Sequence, residues 1–114
     1  MNKKTIGNFG EKVAERYLKD RGYNILERNW RAGHKEIDLI IYKKQLIAVE
    51  VKTKSVSWSK VFTPALRADQ VERLRKAIRK YCLLHNFNYQ TSRLDLIIVS
   101  KINNHIFIKH HLDI

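Results

Sequence analysis

The amino-acid sequence predicts an α/β chain whose elements run in the order α-β-β-β-α-β-β. Three observations carry that reading. Two stretches space their apolar residues as a helix does, one near the N-terminus and one after Pro64. Between them lie a polar strand and a hairpin of two apolar runs, 37–42 and 46–51, broken at Lys43-Lys44-Gln45. After the second helix come an apolar run, 93–100, and an alternating run, 105–112. Recurrence at i, i+3 and i+4 marks one helix face, and alternation marks a half-buried strand.

Residues 5–20 carry the stripe Ile6, Phe9, Val13 and Tyr17, with Thr5 as N-cap and Gly22 ending the helix. At about 100° per residue, Glu11 falls at the edge of that stripe, in line with Gly7, Ala14 and Leu18. Small neighbours let a carboxylate approach another element closely; a solvated helix Glu is the alternative. Residues 23–31 read as an edge strand, being heavily polar, and Ala32-Gly33-His34-Lys35 turns into the hairpin. Residues 54–62 have no helical period and read as a loop whose Trp58 stacks on a base or packs in a small cluster. Thr63-Pro64 signals a helix start, with the helix proper beginning nearer Ala68. Its expected buried stripe is Val71, Leu74, Ile78, Tyr81 and His85. Asn103-Asn104 is the last turn, and His110 and His111 point to opposite faces, a poor metal pair.

The hairpin holds the chemistry. Folded about Lys44, it places Asp38 opposite Glu50. Alternation gives an aliphatic face of Ile37, Leu39, Ile41, Ile47, Val49 and Val51. The other face carries Asp38, Glu50 and Lys52 at the open end, then Ile40, Tyr42, Leu46 and Ala48 toward the turn. Opposed side chains have Cβ atoms roughly 4.5–5.5 Å apart, and like charges there repel. A divalent cation resolves the conflict, since hard cations take carboxylate oxygens, waters and phosphates. The plainer alternative is that the two acids cap strand ends and pair with Lys52 or nearby arginines.

Composition bounds the partners. The chain has 114 residues, enough for one domain with a modest core. Lys+Arg 23 against Asp+Glu 11 gives a net charge of +12, the footprint of a polyanion binder, most often nucleic acid. One cysteine, Cys82, excludes an intramolecular disulfide and a Cys-rich zinc site, and is expected in the core. No signal peptide or long apolar span is read, so a cytoplasmic location is expected.

An Asp about a dozen residues before Glu-x-Lys, all three on one hairpin face, resembles the PD-(D/E)xK nucleases. The order of elements likewise resembles the restriction-endonuclease-like core, a mixed sheet flanked by helices. More specifically, the chain resembles the YraN-like family of small bacterial proteins. The matching residues run from Gly10-Glu11, Tyr17-Leu18, Gly22, Ile25-Leu26 and Arg28-Asn29 to Arg31. They continue through Glu36-Ile-Asp-Leu-Ile40, Val49-Glu-Val-Lys-Thr53, Pro64, Arg73-Leu74 and the strand around Asp95. Lys35, where that family usually has glycine, and Gln70, where lysine is common, depart from the pattern.

The family looks like a relative of archaeal Holliday-junction resolvases. The resemblance implies metal-dependent DNA cleavage with Mg²⁺ or Mn²⁺, Asp38, Glu50, Lys52 and Glu11 being the active-site residues. The metal would fall to Asp38, Glu50, Val51 and Glu11. The DNA, branched or containing single strands, would meet Arg31, Lys35, Lys54, Arg67, Gln70, Arg73, Arg75, Lys76 and Arg79. A homodimer is also expected as an option, and no membrane partner. A nucleic-acid-binding module that serves another protein without turnover is the competing reading. It gives no reason for two opposed carboxylates.

Overall fold

The computed structural model describes residues 3–55 and 66–114. The chain forms α1 (Lys3–Asp20), β1 (Asn24–Ala32), β2 (Lys35–Lys43) and β3 (Gln45–Ser55), then α2 (Ala68–His85), β4 (Arg93–Ile102) and β5 (His105–His111). This is the expected order. Trp58 and the Thr63-Pro64 start signal lie outside the described residues.

The strands form one mixed sheet in the order β1-β2-β3-β4-β5. Neighbours are antiparallel except β3 and β4, which run parallel. A parallel pair needs a crossover long enough to return the chain, and α2 lies in it. α1 covers the opposite face, so the sheet has two cores. One joins Ala14 and Leu18 of α1 to Leu39, Ile41, Ile47, Val49, Ile97 and Val99. The other joins Leu74, Ala77, Ile78, Tyr81 and Cys82 of α2 to Ile40, Leu46, Ala48 and Leu94. β4 is buried almost throughout and β1 is an edge strand, as the sequence suggests.

α1 begins at Lys3, so Thr5 lies inside the helix and is not its N-cap, and β3 runs to Ser55, taking in Lys54 and Ser55 from the expected loop. Three further details differ from the sequence pattern. The buried line of α1 is Gly10, Ala14 and Leu18, while Ile6, Phe9, Val13 and Tyr17 are half-buried. Small residues win the contact because they let the helix come closest. A Cβ at Gly10 would collide with the Thr53 side chain of β3. The larger residues are displaced sideways.

The second difference is at Ile37, which packs with the α2 core although Leu39 belongs to the α1 core. Its partner strand does the same: Arg28 pairs with Glu15 of α1, whereas Trp30 stacks edge-on against Tyr81 of α2 at 5.2 Å. Between them Asn29 takes a φ of 51°, a left-handed conformation that breaks strand alternation. Asp38 lies between Ile37 and Leu39, at the point where the strand changes face. The third difference is His85, which is exposed. α2 runs past the sheet there, with Leu83 and Leu84 also exposed, and ends at Asn86 in the left-handed region.

Candidate active site

The β2–β3 register pairs Leu39 with Val49, Ile40 with Ala48 and Ile41 with Ile47. Continued by one step, it sets Asp38 beside Glu50. The ladder stops just short of them, and the Val51 N–H donates instead to Asp38 Oδ2 at 2.8 Å. The two carboxyls lie close enough that Asp38 acts directly on the proton affinity of Glu50. Burial, then Asp38, push its pKa up to about 9 against the pull of Lys52 and the Val51 backbone.

The pair opens onto a cavity of about 260 Å³ walled by His34 of the β1–β2 turn, by Lys35 and Glu36 at the start of β2, and by Gln70, Arg73 and Leu74 from α2. Anionic groups thus lie on the sheet side and Lys35 and Arg73 on the rim. Gln70 has a second task, since its Oε1 accepts the Arg67 N–H at 3.0 Å at the start of α2. A lysine there could not accept that bond.

Glu11 is not a wall of this cavity. It lines an adjoining one with Asn8, Glu15, Arg28 and Asn29. Burial and the charges of Asp38 and Glu36 raise its pKa to about 6, so it sits within electrostatic reach of those two carboxylates. Among the described residues no three His, Cys, Asp or Glu side chains gather closely enough to hold a metal. Lys52 acts on Glu50 by charge but is not in the cavity wall.

The remaining basic positions divide. Arg31 pairs with Glu36 at 3.6 Å, and Arg67 and Arg73 flank Asp69 at 3.3 and 3.5 Å. Lys54 follows the site along β3, and Lys76 is exposed on α2. Arg75 instead donates to the Ile114 carbonyl at 3.4 Å, and Arg79 lies over the Tyr89 ring at 4.7 Å. Those two belong to the flank of α2 away from the carboxylates.

Sequence reasoning missed His34 and Glu36 as walls of the cavity. The signal available was adjacency, since His34 sits in the turn and Glu36 in the strand that lead to Asp38. It also missed Asp95, fully buried on the α1 face. Arg93 grips Asp95 with two hydrogen bonds at 2.8 and 2.9 Å, His110 Nε2 lies at 2.8 Å, and the Asp113 N–H donates at 3.0 Å. Burial alone would raise the Asp95 pKa; the bonds from His110, Arg93 and Asp113 bring it below the usual carboxylate value.

With the sheet and site in view, comparison with known proteins defines the class. The model of the uncharacterised protein family UPF0102 matches residues 10–99. A UPF0102 protein of Caldanaerobacter subterraneus subsp. tengcongensis is 39% identical over 100 residues, covering 87% of this chain and 82% of the relative. One from Carboxydothermus hydrogenoformans is 32% identical over 119 residues, covering 100% and 98%. One from Bacteroides thetaiotaomicron is 35% identical over 106 residues, covering 92% and 87%. The chain belongs to the UPF0102, or YraN-like, family. Among the described residues no helix is long and apolar enough to cross a membrane.

Proposed function

We propose that the protein is a metal-dependent DNA endonuclease related to the PD-(D/E)xK nucleases, with branched DNA as its expected substrate. The observation that carries the reading is the Asp38–Glu50 pair, set side by side by the β2–β3 register and lining one cavity with Lys35 and Arg73. Buried like charges are costly unless something offsets them, and sites that perturb carboxylates this far are enriched in function.

The donor set fits a hard divalent cation: two carboxyls side by side on neighbouring strands, one with its pKa pushed up by burial and by the other. Asp38, Glu50 and the Val51 carbonyl would hold Mg²⁺ or Mn²⁺, with Glu11 reaching from the adjoining cavity through water. The bound ion would lower the pKa of its water and draw charge from the scissile phosphate. The protein's own groups do the rest. Lys52, beside Glu50 on β3, would set the attacking water or offset charge on the phosphate. Arg73 and Lys35 would bind the flanking phosphates.

Lys52→Ala tests the reading. It should lower cleavage of branched, nicked or linear DNA in Mg²⁺ or Mn²⁺ by about a hundredfold or more, because one positioned donor is typically worth roughly 2.7–4 kcal/mol in the transition state. Binding measured in chelator should barely change, since Lys52 is one of 23 basic residues. A wild type that binds every substrate and cuts none would leave a binding module in its place.

A further inference from the structure

The face of the sheet under α1 carries a groove that the proposed reaction does not use. It lies between α1 and β5, with a volume of about 590 Å³. Its floor is apolar, built by Phe9, Val13 and Tyr17 of α1 and by Ile106 and Ile108 of β5. Its rim is cationic, carrying Lys12, Arg16 and Arg21 against a single carboxylate, Asp20, which Arg16 holds at 3.1 Å.

The fold leaves this groove open for a definite reason. α1 meets the sheet through Gly10, Ala14 and Leu18, so its larger side chains lean toward β5 without closing over the sheet edge. β5 is the last strand of the sheet, and among the described residues no strand lies on its outer side. Ile106 and Phe107 are 46% and 43% exposed. An edge strand with exposed apolar side chains is a template for a further strand, and proteins usually blunt such edges. Beneath the groove the structure is firmly braced. Tyr17 and His110 Nδ1 are hydrogen-bonded at 3.1 Å, and His110 Nε2 lies 2.8 Å from buried Asp95. A preformed floor lowers the ordering cost of binding.

We propose that this groove binds an acidic peptide segment of a partner protein, laid as an added strand along β5. Apolar side chains of the segment would fill the floor, and its carboxylates would meet Lys12, Arg16 and Arg21. Charge selects this occupant. A second copy would bring the same cations and a net charge of +12 to the same rim. A nucleic acid would match the rim but set phosphates over five apolar side chains, which want a ligand of their own kind. Strand addition with alternating side-chain pockets meets both demands.

The experiment titrates a short fluorescein-labelled peptide, alternating glutamate with isoleucine and phenylalanine, into the full chain. Anisotropy gives affinity, and amide chemical shifts give location. Saturable binding with shifts along β5 and the outer side of α1 is expected. Lys12→Glu with Arg16→Glu should weaken binding about tenfold, the scale of two reversed exposed ion pairs. Ile106→Asp should weaken it comparably, and thermal melts confirm that this half-exposed change leaves the fold intact. A lysine-for-glutamate peptide should not bind.

Affinity unchanged in both variants, or shifts confined to the α2 face, would overturn the proposal. So would a duplex oligonucleotide whose affinity falls with Ile106→Asp while the peptide's does not, which assigns the groove to nucleic acid. A dimer in light scattering that Ile106→Asp dissolves assigns it to a second copy.

Discussion

Two clusters of carboxylate, one buried and one half-buried, sit in one sheet and meet the same problem in opposite ways. Asp95, fully buried, has both oxygens satisfied by Arg93, His110 and the Asp113 N–H. Asp38 and Glu50 face each other, with the Val51 N–H bonded to Asp38 and the Glu50 pKa pushed up to about 9. The first cluster is complete and ties β4, β5 and α1 together. The second opens onto a cavity. A buried charge with its partners supplied is structure; two carboxyls side by side beside a cavity, one held near neutrality, are where a ligand has something to add.

The sharpest way to break this contrast is to damage the complete cluster. Asp95→Asn leaves the Arg93 guanidinium without its carboxylate and removes the His110 partner. Losing one member of a buried pair costs about 3–5 kcal/mol, and urea unfolding should show a loss in that range. A loss below about 1 kcal/mol, the scale of an exposed ion pair, would mean the network is ornamental and the contrast false.

The incomplete cluster should behave in the reverse sense when metal is added. Mg²⁺ or Mn²⁺ at about 100 times its Kd should stabilise the fold by about 2.7 kcal/mol. Asp38→Asn should abolish that gain while Asp95→Asn keeps it. An equal gain in wild type and Asp38→Asn would place the ion elsewhere.

Protons separate the two clusters by pH. Glu50 has a folded pKa of about 9 against an ordinary value of 4.5, so across that interval the folded chain binds more protons than the unfolded one. Its stabilising contribution is full below the unfolded value and is lost as pH rises toward 9, by up to about 1.4 kcal/mol per pH unit. Glu50→Gln should flatten that alkaline slope in metal-free buffer and raise stability near the folded pKa. Asp95, whose pKa is lowered, has the opposite sign: its contribution is present above the ordinary value of 3.8 and is lost as pH falls below it. Melts in chelator across the interval from 4.5 to about 9 decide this, and an unchanged slope in Glu50→Gln would show that the proton is held elsewhere.

Much of this is legible in the residues. Period two and a three-residue turn are enough to set Asp38 beside Glu50, because a hairpin's register follows from its turn. Helical spacing puts Glu11 in line with Ala14 and Leu18, which form the buried line. What cannot be read is where periodicity fails. The change of face at Asn29 and Asp38 depends on one positive φ, and apolar pattern alone gives no sign of it. Asp95 is hidden for a related reason: its Arg93 partner is visible two residues away, but the His110 and Tyr17 contacts come from elements distant in sequence.

Arg73, Arg75, Lys76 and Arg79 are all expected to meet DNA, and the structure divides them between two flanks of α2. Arg73 lines the carboxylate cavity, and Lys76 follows it on the same flank, three residues on. Arg75 and Arg79 lie on the other flank, engaged with the C-terminal carbonyl of Ile114 and the Tyr89 ring. If DNA enters over Asp38 and Glu50, phosphates should meet the first pair and miss the second. Arg73→Ala with Lys76→Ala should therefore reduce the salt slope of DNA binding by about 0.9 for each phosphate that is no longer neutralised. Arg75→Ala with Arg79→Ala should leave the slope unchanged. Because exposed cations contribute additively and weakly, this is the smallest effect of the set, and titrations at several salt concentrations are needed to resolve it. Equal reductions from both pairs would show that DNA wraps α2 rather than entering along one flank, and the cavity would then no longer define the path of the strand.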